Sequence, residues 1–489
     1  MRRALLPLLL LIAAACSGTA VGPTHGSPSG ATTPSPSETA AEASGDKGIF
    51  KLDHLVFIVM ENRSFDHYFG TYPGADGIPG NVCVPDPMVG RCATPYHSTE
   101  LTNRGGPHGM PHSVADVNGG RMDGFVNTLD TTKRNDFCLN NRTNPSCTRW
   151  FGPQGQPDVM GYHDRREIPN YWKYADNFVL QDRMFASVDS WTLPAHLFLV
   201  SGWSATCSNS SKPMSCTSDP AMKGGNAAFN PGFKRRPPYA WTDITYLLKK
   251  NHVSWRYYVA PGTCFKNPCG PHNIGTPRAM NPLPGFSTVH HNHQLRNITT
   301  HPSLFRAAEQ GNLPSVSWVI PGRGYSEHPT AGSIATGQAF VTSTINQIMK
   351  SPDWDSTAIF LTWDDWGGFY DHVKPTSIDN AGYGIRVPGL MISPYARQGF
   401  IDHQTLSSDA YLRLIEDIFL DGQRLDPKTD GRPDPRPTVR EEVGILGNLK
   451  KEFDFRQEPL PPLILDPTPF GDLPSPTPIP RRDVTNPFP

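Results

Sequence analysis

Two short stretches carry side chains that could hold a cation beside an acid–base group. In "HLVFIVMENRSFDHYFG" (54–70) an apolar run stops at Glu61 and Asn62, with Arg63, Asp66 and His67 directly behind. In "AIFLTWDDWGG" (358–368) a second apolar run stops at Asp364 and Asp365, followed by Trp366, Gly367 and Gly368. Glu, Asn and two Asp form a hard, oxygen-rich donor set. It suits one divalent cation, Ca²⁺, Mg²⁺ or Mn²⁺, rather than a thiolate-loving ion. Three carboxylates gathered at one place repel one another unless a cation is present. The Gly pair lets backbone approach a ligand closely. The plainer reading is that each pair caps a following helix or turn, where acidic residues are common. Two matched pairs behind two matched apolar runs weaken that reading.

The elements that must position these pairs are short and apolar. "HLVFIVM" (54–60), "NFVLQ" (177–181), "VSWRYYV" (253–259), "VSWVIP" (316–321), "AIFLTW" (358–363) and "VPGLMIS" (387–393) read as buried strands. Helical patterns lie between them: "AWTDITYLLKKN" (240–251) with Thr242 as N-cap, "GQAFVTSTINQIMKS" (337–351) and "SSDAYLRLIEDIFL" (407–420). Strands alternating with helices predict an α/β fold, a three-layer α/β/α sandwich around a mostly parallel sheet. Ligands in such sheets bind beyond the carboxyl ends of the strands. Parallel strands would send both oxygen pairs out of the same edge.

Composition narrows the setting. The 489 residues carry 44 Lys and Arg against 45 Asp and Glu, so no basic excess points to nucleic acid. The N-terminus has Arg2 and Arg3 before an apolar run, Leu5 to Ala15, too short to span a bilayer, and reads as a signal peptide over 1–16. "AAAC" ends it. Lipidation of Cys16, which would tether the chain to a membrane, and plain secretion both remain open, with Ala13 where a lipoprotein signal usually has Leu. Residues 17–47 are a Ser/Thr/Pro-rich linker, 48–457 a catalytic domain, and 458–489 a Pro-rich extended or disordered tail. Eight further cysteines fall in four local couples, Cys83 with Cys92, Cys138 with Cys147, Cys207 with Cys216 and Cys264 with Cys269. In an exported chain with no CxxC spacing, local disulfides are the simplest reading, zinc the rival.

"HLVFIVMENRSFDHYFG", "MDGFV" (122–126), "SEHPT" (326–330) and "TWDDWGGFYDHV" (362–373) together resemble the bacterial phosphoesterase family, in order, from about 51 to about 420. That family includes non-haemolytic-type phospholipases C and a related secreted acid phosphatase. The resemblance implies an alkaline-phosphatase-like fold and metal ligation by Glu61, Asn62, Asp364 and Asp365. Many phospholipase members have Asp-Glu at the second pair, and the phosphatase branch has Asp-Asp, as here. The family nucleophile lies in a segment shaped like "TxPN[RH]", matched by "SWTLPAHLFLVSG" (190–202). Thr192 is then nucleophile and metal ligand, with Ser190 as its rival. Ala195 replaces the usual Asn and His196 takes the Arg-or-His place. His328 matches a His that protonates the leaving oxygen or binds the phosphoryl group, and His108 matches another active-site His, with His112 as competitor. For His290 and His291 a surface role is the better reading. Asp66, His67, Asp123 and His372 read as structural.

These parts imply an exported metal-dependent phosphoric ester hydrolase working through a phosphothreonine. A Thr hydroxyl needs activation to attack phosphorus, and a His must protonate the departing oxygen. The substrate is a phospholipid diester or a phosphomonoester. The larger phospholipases of the family carry extra C-terminal domains, and the Pro-rich end here weighs toward the phosphomonoester. The alternative is a catalytically silent surface-binding protein on the same fold. The oligomeric state is not legible.

Overall fold

A computed structural model describes residues 48–131, 136–222, 237–263, 275–329 and 331–469. The signal peptide, Cys16, the 17–47 linker, the Cys264–Cys269 couple and residues 470–489 lie outside them.

The run 54–60 is buried on both faces from Leu55 to Met60, so it needs a neighbour on each side and cover above and below. It forms the strand β1, His54–Met60, near the middle of an eight-stranded sheet. The other strands, in chain order, are β2 (Val179–Gln181), β3 (Trp255–Val259), β4 (Ile298–Thr300), β5 (Val316–Val319), β6 (Thr357–Trp363), β7 (Gly389–Ile392) and β8 (Phe400–Asp402). Their order across the sheet is β4-β3-β5-β1-β6-β7-β2-β8. β1 runs parallel to β5, pairing Leu55 with Val316, and parallel to β6, pairing His54 with Thr357 and Met60 with Trp363. Phe57 stacks on Phe360 of β6 at 5.3 Å between ring centroids and on Trp318 of β5 at 6.3 Å. Truncating so deeply packed a ring costs about 3–5 kcal/mol.

The 387–393 run does not follow the parallel pattern. β7 is antiparallel to both β6 and β2. Between Trp363 and Gly389 the described chain has no helix, so it returns from the edge at which it left the sheet. A parallel neighbour needs a crossover to the opposite edge, and none is built here.

Helices alternate with these strands along the chain. In chain order they include α1 (Phe65–Phe69), α2 (Met110–Val117), α3 (Pro169–Asn177), α4 (Thr192–Ser201), α5 (Ile244–Lys250), α6 (His301–Glu309), α7 (Ile334–Met349) and α8 (Ser408–Phe419). Every residue of α4 is buried. Asp243, not Thr242, caps α5, its side chain accepting from the Thr245 N–H at 2.9 Å. Ser333 caps α7 and Ser407 caps α8. Among the described residues no helix is long and apolar enough to cross a membrane.

Three of the four cysteine couples are disulfides: Cys83–Cys92, Cys138–Cys147 and Cys207–Cys216. The Pro-rich segment does not detach at 457. Leu460, Leu463 and Leu465 pack on the core. Asn346 clamps Leu465 by donating to its carbonyl at 2.7 Å and accepting its N–H at 3.1 Å. Asn170 donates to the Asp466 carbonyl at 2.7 Å. A Pro-rich strand has few N–H groups of its own, so side-chain amides supply the pairing.

Candidate active site

Because Met60 and Trp363 are paired in parallel strands, the next residues leave the sheet side by side. Asn62 turns into the left-handed region, φ 63°, and its N–H donates to Asp364 Oδ1 at 3.1 Å. Its side-chain amide donates to Asp365 Oδ1 at 2.6 Å. The Gly367 N–H donates to the same Asp365 oxygen at 2.8 Å. Gly367 has φ 63°, and a Cβ there would stand 2.4 Å from the Asn62 carbonyl oxygen, so only Gly closes this turn.

β2 and β6 are both antiparallel to β7 and so run the same way, and residues 182–191, which follow β2, bring the start of α4 to the same edge. Thr192, its first residue, donates from Oγ1 to Glu61 Oε2 at 3.3 Å. The helix has no side-chain N-cap. One turn later His196, fully buried, sets Nε2 3.8 Å from Glu61 Oε1 and 4.0 Å from Asp364 Oδ2. Glu61, His196 and Asp364 thus form a group able to share a metal ion.

Five buried atoms at this edge have no hydrogen-bond partner: Glu61 Oε1, Asn62 Oδ1, Asp364 Oδ2, Asp365 Oδ2 and His196 Nε2. An unpaired buried polar atom costs about 1–3 kcal/mol, more for a charged one. Burial, and then the charge of Asp365, push Glu61 up to about 8. Burial, then Glu61 and Asp365, hold Asp364 well above the carboxylate range. Asp365 is raised too, chiefly by burial. Protein groups alone do not satisfy this cluster. A divalent cation fits it, since every orphaned oxygen is a hard donor.

The histidines divide. His108 and His328 meet edge to face, 5.6 Å between ring centroids, and His108 lies close enough to Asp365 to favour its ionised form. Burial, then His108, Arg323 and Arg63, hold His328 well below the ordinary imidazole value. His112 instead accepts the Gly109 N–H at 3.2 Å, inside α2. His290 and His291 are exposed, and His290 bonds the Pro284 carbonyl. Ser190 is buried, and its Oγ has no hydrogen-bond partner. Asp66 and His372 are tied to each other at 2.8 Å and to Arg386, which also holds Asp371. His67 bonds the Gly161 carbonyl and stacks on Phe369. Asp123 accepts from Asn118.

Two residues at the site were not anticipated. Glu327, φ 69°, is wholly buried beside His328 and accepts from Tyr171 at 2.6 Å, Tyr68 at 2.7 Å and Trp363 at 2.9 Å. Arg63 donates to its carbonyl at 2.7 Å, so the backbone that presents His328 is held from both ends. The one sequence signal was its place inside "SEHPT". Arg323 is exposed, yet its charge acts on both Glu61 and His328.

Comparison with known proteins adds a family. Residues 52–420 match the model of the Phosphoesterase family. Phospholipase C A of Mycobacterium tuberculosis is 26% identical, with 83% of this chain and 78% of that protein covered. The non-hemolytic phospholipase C of Pseudomonas aeruginosa is 26% identical over 84% of this chain and 59% of its own length. Non-specific phospholipase C1 of Arabidopsis thaliana is 26% identical over 72% and 62%. Among solved structures, an alkaline phosphatase superfamily protein from Vibrio parahaemolyticus is similar at 14% identity and a TM-score of 0.31, covering 52% of this chain and 60% of that one.

Proposed function

Because this chain belongs to the Phosphoesterase family, whose members hydrolyse phosphoric esters, we propose that it is an exported, cation-dependent phospholipase C acting through Thr192. The observation that carries the reading is the convergence of Glu61, Asn62, Asp364 and Asp365 on the edge where Thr192 begins α4. The relatives' names supply the lipid diester. The Asp364–Asp365 pair keeps a phosphomonoester as the second substrate class, since the phosphatase branch shares it.

A cation held by Glu61, Asn62, Asp364, Asp365 and Thr192 would supply positive charge against the phosphoryl oxygens and favour the ionised hydroxyl. The chain's own groups do the rest. Glu61 Oε2 accepts the hydrogen bond of the Thr192 hydroxyl and aims its oxygen. The Thr192 proton passes along its hydrogen bond to Glu61 Oε2, and Oγ1 attacks phosphorus as the bond to the leaving oxygen breaks, giving a phosphothreonine and an alcohol, which for a lipid is a diacylglycerol. His328 is held neutral in the free site, and the negative charge of a bound phosphate raises its proton affinity. It then gives a proton to the departing oxygen, with His108 beside it. Water attacks the phosphothreonine in turn, the P–Oγ1 bond breaks, and Thr192 regains its proton.

The disulfides accord with an oxidising, extracytoplasmic setting. The signal peptide over 1–16 and a tether at Cys16 belong to the same proposal.

A side-by-side assay on phosphatidylcholine and p-nitrophenyl phosphate, each with and without chelator, tests the reading. Chelator-sensitive release of phosphocholine is expected. Turnover of the monoester alone would move the chain to the phosphatase class. No turnover of either would favour the silent surface-binding protein.

A further inference from the structure

Thr192 and His196 stand four residues apart on α4, so they lie on one face of the helix. From that face His196 brings a nitrogen into a centre otherwise lined by oxygen. Its Nε2 is 3.8 Å from Glu61 Oε1 and 4.0 Å from Asp364 Oδ2, beyond hydrogen-bond range of both. Ligand atoms sharing a small divalent ion stand no more than about 4.2 Å apart, twice a bond of about 2.1 Å. Both separations fall inside that limit.

The other side of the ring decides which nitrogen carries the proton. Tyr257 donates its only hydroxyl proton to the Met280 carbonyl at 2.6 Å. Its oxygen lies 3.4 Å from His196 Nδ1, where it is left only to accept. The proton therefore sits on Nδ1, and Nε2 offers a bare lone pair toward two carboxylate oxygens that themselves lack donors. Three buried atoms without hydrogen-bond partners face one another, and a cation, displacing any carboxyl proton, would satisfy all three. A metal-bound histidine characteristically donates its second N–H to a fixed acceptor, which is the arrangement here.

We propose that His196 Nε2 is a ligand of the cation, and that the centre therefore selects a transition ion such as Mn²⁺, Co²⁺ or Zn²⁺ over Ca²⁺ and Mg²⁺. Calcium and magnesium take oxygen ligands, whereas imidazole suits the transition ions. The inference rests on the cation-dependent reading above and narrows it. It adds a nitrogen to the all-oxygen set expected from the sequence. The substitution that distinguishes the segment helps. Ala195, small and buried, lines with His196 and Asp364 a cavity of about 20 Å³, room for one water and for a small adjustment of the ring.

The test uses the full chain stripped of metal, with folding checked by circular dichroism. Binding of Mn²⁺, Co²⁺, Zn²⁺, Ca²⁺ and Mg²⁺ is measured one ion at a time by calorimetry, with metal content as stoichiometry. The transition ions are expected at one per chain and at least about tenfold tighter than Ca²⁺ or Mg²⁺. The Co²⁺ form should show one paramagnetically shifted, exchangeable imidazole N–H resonance, that of Nδ1. His196→Gln should lose that resonance and about 10- to 100-fold of Co²⁺ affinity, with Ca²⁺ affinity changed by less than about twofold. Tyr257→Phe should keep the resonance, exchange it faster and bind Co²⁺ more weakly, a readout that survives if His196→Gln fails to fold. Tightest binding of Ca²⁺, or a Co²⁺ form with no such resonance, overturns the ligation and leaves the cation-dependent reading standing. A folded chain that binds none of the five ions overturns both.

Discussion

Asn62 and Asp365 join the ends of two neighbouring strands through a 2.6 Å hydrogen bond, which leaves Asn62 Oδ1 and Asp365 Oδ2 without a partner. The bond does two jobs. It fixes the rotamer of the Asn62 amide, nitrogen toward Asp365, and so fixes where the Asn62 carbonyl oxygen goes. It also gives one buried carboxylate oxygen a donor.

Asn62→Ala removes the donor and a ligand together. It should destabilise the metal-free chain by about 0.5–1.5 kcal/mol, the net worth of one hydrogen bond, because the Gly367 N–H still donates to the same Asp365 oxygen. Thermal melts in chelator read this loss. The stabilisation that a divalent ion gives to wild type should shrink in the variant. An unchanged melting temperature in chelator would show that the Gly367 N–H alone satisfies that oxygen.

Thr192→Ala should cost about 10³-fold or more in kcat while the fold and metal content survive, because it deletes the attacking atom. Ser190→Ala should retain most activity. The reverse ranking would make Ser190 the nucleophile.

His328→Ala should slow esters with poor leaving groups by about 10²–10⁴-fold, the range of general acid catalysis. Esters of p-nitrophenol, whose oxygen leaves without a proton, should suffer far less. Equal losses across the series would assign His328 to phosphoryl binding instead.

Cation binding at pH 7 should release protons. Burial and Asp365 push Glu61 up to about 8, so the cluster of Glu61, Asp364 and Asp365 should hold a proton at pH 7 that a ligating carboxylate gives up. Calorimetry of the same titration in buffers of different ionisation enthalpy should give about one or more protons per ion. A buffer-independent heat would mean that the carboxylates are already ionised.

His301 offers a clean pH test away from the site. It is buried, bonds the Ile320 carbonyl at 2.8 Å, and burial lowers it from 6.5 to about 4. The unfolded chain takes a proton there below about 6.5, while the folded chain does not until about 4. Its stabilising contribution is therefore present above 6.5 and falls as the pH drops toward 4. His301→Gln carries no such proton. Between pH 7.5 and 5 wild type should lose about 2 kcal/mol relative to the variant in urea melts. A pH-independent difference would place a titrating group opposite His301 that compensates it.

Part of this molecule was legible in the linear chain because the relevant physics is local. A strand buried on both faces must be a continuous apolar run, and "LVFIVM" and "AIFLTW" are such runs. Each places its oxygen pair at the residue where the run stops, so Glu61, Asn62, Asp364 and Asp365 could be named without knowing the fold. Cysteines nine apart close small loops whatever surrounds them. What tertiary structure alone decided depends on where distant segments arrive. β7 is as apolar as its neighbours, and its direction is set by a helix-free return rather than by composition. The hydrocarbon side chains of the Pro-rich segment meet the core only because Asn170 and Asn346 stand ready to pair its carbonyls. Glu327 is one acid among many until Tyr68, Tyr171 and Trp363, from three separate elements, donate to it. The role proposed for His196 turns on Tyr257, 61 residues away in β3, because a tautomer is chosen by the partner across the ring and not by the residue itself.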